Sequence, residues 1–233
     1  MKFIKRLLFT ILLIIIIAIS LIVYMGHAMY KEAIDKVSIQ DKIQEIKSDE
    51  NYLTIDKIPD DFKHAIVAVE DHRFYTHSGI DLITTTRSML ENIKEKDIVA
   101  GGSTITQQTG RLMYFTQEQR FTRKVAELFV AFDLEKNYSK DEILELYCNM
   151  IYYGDGYHGI KEASNGYFKK EAIDLTLAEA SLLAGLPNAP SAYSPTKNKK
   201  LAHKRQSVVL TQMVKYDYIS EEQKQEIENN YNK

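Results

Sequence analysis

The chain opens on its longest apolar run. Leu7 to Met25 carries no charge, and only Thr10, Ser20 and Tyr24 interrupt its aliphatic character. As a helix rising about 1.5 Å per residue it spans roughly 28 Å, close to the ~30 Å hydrocarbon core of a bilayer. Lys2, Lys5 and Arg6 precede it, so the positive-inside rule predicts a cytoplasmic N-terminus with the rest of the chain outside. A cleaved signal peptide is the rival. Its apolar core is shorter, about 7–15 residues, and Tyr24-Met25-Gly26-His27-Ala28 makes a poor cleavage site. The expected division is a cytoplasmic tail (1–6), a transmembrane anchor (7–25), a charged and loosely periodic stalk or peripheral segment (26–57) and one further domain (58–233).

From Ile58 onward the pattern is helical. Pro59 suits the first helical position, with Asp60 and Asp61 in the first turn near the positive end of the dipole. Phe62, Ala65, Ile66 and Val69 follow at helical spacing. Val125, Leu128, Phe129 and Phe132 form an i, i+3, i+4, i+7 stripe, the predicted buried face of another helix. Capping boxes start at Ser139 (with Glu142), Thr176 (with Glu179) and Ser220 (with Gln223). The first leads into the stripe Ile143, Tyr147, Met150, and the second into Leu182, Leu183 and Leu186. No alternating strand run, Asn-Gly hairpin turn or internal repeat is evident. The prediction is a mainly α domain with short loops.

Composition narrows the class. Glycine (10) and proline (4) are scarce, which disfavours a loop-rich β-sandwich. A net charge of −2 gives no bulk attraction to nucleic acid, and none is expected as a partner. The single cysteine, Cys148, allows no intrachain disulfide and no thiolate metal site of its own. It reads as a packing residue. His64, His72, His77 and His158 lack metal-ligand spacing, so no metal site is predicted.

Two stretches stand out because a packing core does not ask for them. Glu70-Asp71-His72-Arg73-Phe74-Tyr75-Thr76-His77-Ser78-Gly79-Ile80-Asp81 concentrates ionisable groups beside an aromatic and a glycine. Gly101-Gly102-Ser103-Thr104-Ile105-Thr106-Gln107-Gln108 is a glycine-led polar run suited to a polyoxygenated ligand. A carboxylate beside such a loop is a starting kit for glycosyl chemistry. Glu70 falls at the end of the helix that starts near Pro59. There the negative dipole end costs an ionised carboxylate about 0.3–1 kcal/mol, and Asp71 adds like-charge repulsion. Both work against the ionised form, a setting for a general acid or base. The ordinary alternative is a solvated helix end. Glu127 is a second acid, four residues after Arg123. That pair is either a plain i, i+4 ion pair or part of a groove rim. Arg111, Arg120, Arg123 and Lys124 make a local basic cluster that suits a phosphate or pyrophosphate.

Two motif matches lack their context. Gly154-Asp155-Gly156-Tyr157-His158-Gly159 fits G-x-G-x-x-G, but no βαβ rhythm surrounds it. Ser194-Pro195-Thr196-Lys197 fits Ser-x-x-Lys, but no Lys-Thr-Gly follows, so no transpeptidase domain is expected.

Taken together, five blocks resemble the peptidoglycan glycosyltransferases of glycosyltransferase family 51, the transglycosylase domain of penicillin-binding proteins, in its stand-alone monofunctional form. They are Glu70-Asp71-x-x-Phe74-x-x-His77-x-Gly79-x-Asp81; Gly101 to Gln108; Arg123-Lys124-x-x-Glu127; Lys140-x-x-Ile143-Leu144-Glu145-x-Tyr147-x-Asn149 with Gly154 and Gly159; and Leu177-x-Glu179-Ala180 running into Leu183-Ala184-Gly185-Leu186-Pro187. The similarity covers about residues 59 to 196. It implies a lysozyme-like, two-lobed, mainly helical fold with an N-terminal transmembrane helix. Residues 82–100 would belong to a smaller, membrane-contacting lobe. It also implies polymerisation of lipid II onto a growing glycan strand at the outer membrane face, by an inverting transfer that makes β-1,4 linkages. By carry-over, Glu70 is the base for the acceptor 4-hydroxyl. Glu127 is the second catalytic carboxylate, helping the departing pyrophosphate directly or through a divalent cation (Mg or Mn), with no obligatory cofactor. Arg111, Arg120, Arg123 and Lys124 would hold phosphates. Ser103, Thr104, Gln107 and Gln108 would line the sugar and phosphate site, with Asp71, Phe74 and His77 beside them. Penicillin-binding transpeptidases would be candidate partners. Ala126 and Arg111 stand where many members carry lysine, and Cys148 replaces a common leucine. A glycan-cutting hydrolase and an inactive anchored scaffold are the alternatives; the basic cluster disfavours the first, and intact Glu70 and Glu127 the second.

Overall fold

The computed structural model describes residues 2–95, 101–115 and 121–231. Helix α1 (Lys2–Lys36) does not stop where the apolar run stops. It is long and apolar enough to cross a membrane, and its large apolar side chains from Phe3 to Met25 are exposed apart from the half-buried Ile22. Its upper part lies on the domain. Ser38 then caps α2 (Ile39–Lys47) by accepting from the Asp41 amide. Helix α3 (Asp60–Glu70) begins one residue later than predicted, because Pro59 is extended and serves as its N-cap. The chain continues through α4 (Leu82–Glu95), α5 (Ile105–Tyr114), α6 (Phe121–Asn137) and α7 (Lys140–Met150). Strands β1 (Tyr152–Gly154) and β2 (Tyr157–His158) pair antiparallel. Then come α8 (Gly159–Phe168), α9 (Leu177–Gly185), the short α10 (Pro190–Tyr193), α11 (Lys199–Lys215) and α12 (Glu221–Asn229). All three predicted capping boxes form, at Ser139, Thr176 and Ser220.

The core sits where α3 packs on α9 and α11, and where α5 packs on α6 and α7. Phe62, Phe74, Tyr147 and Tyr153 are its largest fully buried side chains. The predicted stripe on α6 faces elsewhere. The face turned into the domain is Ala126, Glu127, Val130, Ala131 and Leu134, while Val125 and Phe129 meet α1. A Cβ on Gly26 would stand 2.5 Å from Val125 Cβ. The phenyl ring of Phe129 lies 5.0 Å from His27 and 5.5 Å from Tyr30, and Tyr30 donates to Asp133. Helix α6 is apolar on two faces because it has two neighbours.

The segment 26–57 is likewise fastened to the domain. Asn149 accepts from Leu53 N and donates to Leu53 O, both at 2.8 Å. The buried Glu145 accepts from Ile55 N (2.8 Å) and from Tyr52, and pairs with Lys47 at 3.1 Å. A buried carboxylate with three donors is stabilised as an anion. At the other end of the chain three tyrosines stack on histidines: Tyr216 on His72 (4.5 Å), Tyr218 on His64 (4.5 Å) and Tyr231 on His203 (4.2 Å).

One hairpin was not predicted. Asp155 (φ 52°) and Gly156 (φ 89°) form its two-residue turn, the backbone that an Asp-Gly pair favours. The G-x-G-x-x-G match is therefore a turn. Gly159, at φ 74°, could not carry a side chain, since a Cβ would stand 2.6 Å from Asn149 O. The Ser-x-x-Lys match is the hairpin's partner. Asp155 accepts from Ser194 (2.7 Å) and Thr196 and pairs with Lys197 at 2.9 Å. These contacts, Thr196 first, lower its carboxyl from 3.8 to about 2. A lowered carboxyl contributes its stability above its ordinary value and loses it as pH falls through the lowered one. Asp155→Asn should therefore be less stable than the parent at neutral pH, and the gap should close between pH 3.8 and about 2. Urea unfolding of both across that window checks this; a constant gap would exclude the Asp155 clasp as its source.

Candidate active site

Glu70 is the last residue of α3, and the chain must turn there. Asp71 makes the turn and is buried. Its Oδ2 accepts from Ile105 N at 2.9 Å and lies 2.9 Å from His77 Nε2. Ile105 is the first residue of α5, so the carboxylate satisfies a free amide at the positive helix end. The loop after α3 is thus fixed to the start of α5. Phe74 is fully buried under the Lys140 ammonium, 4.5 Å from its ring. His77 is buried beside it. Asp71, Phe74 and His77 lie in the interior, holding the loop that follows Glu70.

The Gly101–Gln108 run divides in two. Thr104 and Gln107 form a capping box on α5, and Thr104 also donates to Gly79 O at 2.7 Å. The Thr104 hydroxyl and the Gln107 side-chain oxygen are thus spent inside the protein. Gly101 and Gly102 offer carbonyls to α4, accepting from Ser88 (2.9 Å) and Thr85 (3.0 Å). A Cβ on Gly102 would crowd Thr85 Cα at 3.2 Å. Ser103 and Gln108 instead meet the functional candidates. Ser103 accepts from Lys124 Nζ at 2.7 Å, and Gln108 Nε2 donates to Glu70 Oε2 at 3.0 Å.

Glu127 is 1% exposed and lies between two cations, Arg123 Nε at 3.0 Å and Lys124 Nζ at 2.8 Å. Such burial costs several kcal/mol unless the charge is paired this way. Gly110 brings α5 close enough, since a Cβ there would sit 3.0 Å from Val130 Cγ1 on α6. Arg123 and Arg111 line a cleft of about 410 Å³ with Gln108, Tyr152, Asn188 and Ser191. Of the predicted groups, Gln108 thus meets Glu70, Arg123 and Lys124 enclose Glu127, and Arg111 shares the cleft with Gln108 and Arg123. Arg120 lies outside the described residues.

Arg205 was missed by sequence reasoning. Its Nη2 stands 3.8 Å from Glu70 Oε1, and its Nε donates to Gly185 O at 3.3 Å. No local pattern marks it, because only the packing of α11 on α3 brings it there. Among the described residues, no group of three or more His, Cys, Asp or Glu side chains could hold a metal ion. Cys148 is fully enclosed, and burial pushes its thiol up, as befits a packing residue. Helix α4 exposes Leu82, Ile83, Met89, Leu90 and Ile93, an apolar face on the segment expected to form the smaller lobe; residues 96–100 lie outside the described ones.

The transglycosylase family profile matches residues 38–214. The chain is 38% identical over 208 residues to penicillin-binding protein 1F of Bacillus subtilis, covering 85% of this chain and 29% of that protein. It is 44% identical over 170 residues to a putative transglycosylase of Cupriavidus necator, covering 73% of each. Penicillin-binding protein 1A of Neisseria flavescens is 43% identical over 173 residues, 74% of this chain and 22% of that one. The chain thus spans less than a third of the two penicillin-binding proteins.

Asp71→Ala would leave the Ile105 amide unpaired in the interior, at a cost of about 1–3 kcal/mol. Denaturant unfolding of the variant should show that loss; a change within about 0.5 kcal/mol, as at an ordinary surface position, would remove Asp71 as the tie between α3 and α5.

Proposed function

The chain belongs to the transglycosylase family, whose mainly helical, lysozyme-like domain it carries, and from that membership we propose that it polymerises lipid II into linear β-1,4 glycan strands. The donor is the growing strand on its lipid pyrophosphate, and the acceptor is the 4-hydroxyl of an incoming lipid II. Glu70 takes the proton of that hydroxyl as its oxygen attacks the donor's anomeric carbon. The bond from that carbon to the pyrophosphate breaks, and undecaprenyl pyrophosphate leaves. Attack opposite the leaving group inverts the α-linked donor to a β-linkage. Arg111, Arg123 and Lys124 receive the charge that develops on the leaving group, and such preorganised donors are worth most in a water-poor cleft. Glu127, paired with Arg123 and Lys124, orients them.

The observation that carries this reading is where those cations stand. Gly26, the first residue past the apolar run, packs on Val125, the neighbour of Lys124 on α6. If the apolar run spans the bilayer, Lys124 and Arg123, one and two residues from Val125 on α6, branch from the backbone within about one helical turn, ~5 Å, of its outer boundary, the level of a lipid-linked pyrophosphate. In this reading α1 is a single-pass anchor with a cytoplasmic N-terminus. Cutting a neutral glycosidic bond needs no such cluster. A divalent cation fits poorly at Glu127, because one carboxylate facing two cations is a weak donor set, and no step is assigned to one. Cross-links would come from a penicillin-binding transpeptidase.

Full-length protein incubated with lipid II in detergent should yield long glycan strands. Shortening of preformed strands without growth from lipid II would overturn the reading. Glu70→Gln should lower the rate by roughly 10²–10⁴-fold with an unchanged fold by circular dichroism, and parent-like rates would remove Glu70 from its role.

A further inference from the structure

Tyr147 was predicted as part of an apolar stripe on α7, and burial alone would account for its ring. Packing does not account for its hydroxyl. The side chain is fully buried, yet a phenylalanine would fill the same space without a polar atom to satisfy. The hydroxyl donates to Gln108 Oε1 at 3.2 Å. The other end of that amide, Nε2, donates to Glu70 Oε2 at 3.0 Å. A carboxamide has one acceptor end and one donor end, so the two contacts are linked. With its oxygen committed to Tyr147, Gln108 can present only N–H to Glu70. Flipped, it would set its oxygen against the carboxylate and its amino group against the phenol.

We infer that Tyr147 is a positioning residue for Glu70, acting through Gln108 to fix the amide so that it always donates to the carboxylate. This deepens the proposed polymerase reading and rests on it, since a base must be held as a proton acceptor with one oxygen oriented and the other left for substrate. Burial, with the charge of Glu70 next, pushes the Tyr147 hydroxyl well above its ordinary value. The phenol therefore keeps the proton it donates across the working pH range. Arg205 faces the other carboxylate oxygen at 3.8 Å, longer than a hydrogen bond, so the relay supplies the close contact.

The test uses the full chain with Tyr147→Phe, Gln108→Leu and the double variant. Tyr147→Phe should lower kcat about five- to tenfold, the scale of one lost hydrogen bond, with KM for lipid II within about twofold. In the Gln108→Leu background the same change should lower kcat less than about twofold, because the relay is already broken. A merely structural role would lower kcat equally in both backgrounds, and that result, or a parent-like kcat in Tyr147→Phe, would overturn the inference. A second arm needs no reaction. With ¹⁵N-glutamine labelling, the Gln108 side-chain amide signals, identified by their loss in Gln108→Leu, should move toward those of a free amide in Tyr147→Phe. Unchanged signals would overturn the relay even if lipid II is not the substrate, whereas failure to polymerise lipid II with shifted signals would fault only the functional reading.

Discussion

The carboxylate of Asp71 is the joint on which the site depends. It accepts from the first amide of α5, and that bond fixes both how far α5 reaches toward α3 and its rotation about its own axis. Gln108 lies three residues beyond Ile105, almost one turn on, and Glu70 lies one residue before Asp71. With the joint made, the Gln108 amide and the Glu70 carboxylate come within hydrogen-bond distance. The capping box of Thr104 and Gln107 completes the same helix start. Residues that look like ligands in a polar run thus serve to place Gln108, which lines the cleft, against Glu70. The same helix closes on α6 at Gly110, which brings Glu127 and its cations into the arrangement.

What was legible in the sequence was local. Capping boxes at Ser139, Thr176 and Ser220 act over four residues, and all three form. The box at Thr104 was equally local but hidden, because a glycine-led polar run invites a binding-loop reading. Asp155-Gly156 was a readable hairpin turn, obscured by strands of three and two residues that show no alternation. The phase of α6 failed for a different reason. Periodicity marks an apolar face and not which neighbour it meets, and α6 has α1 on one side and the core on the other. Arg205 depended on tertiary packing alone. The resemblance in five ordered blocks supplied the family, which the profile over residues 38–214 bears out. It could not say which motif residues face the cleft and which are fasteners, as Glu145 and Asn149 prove to be.

Several elements share one economy: polar groups with a functional look are satisfied inside, and few are left for chemistry. Glu145 binds segment 47–55, Asp155 binds residues 194–197, and Glu127 is enclosed by Arg123 and Lys124. Each is a carboxylate made tolerable in or near the interior by paired donors. Glu70 differs in standing at a helix end with one oxygen held by an amide and the other facing only a guanidinium at longer range.

Helix α1 runs unbroken past Gly26 and is packed there against the helix that carries Glu127. In the proposed orientation no hinge separates the bilayer from the site. Helices answer hydrophobic mismatch by tilting, and a tilt of α1 would be carried directly into α6. The thickness of the surrounding membrane then becomes a mechanical input to the cation cluster, and lipid composition a means of tuning it.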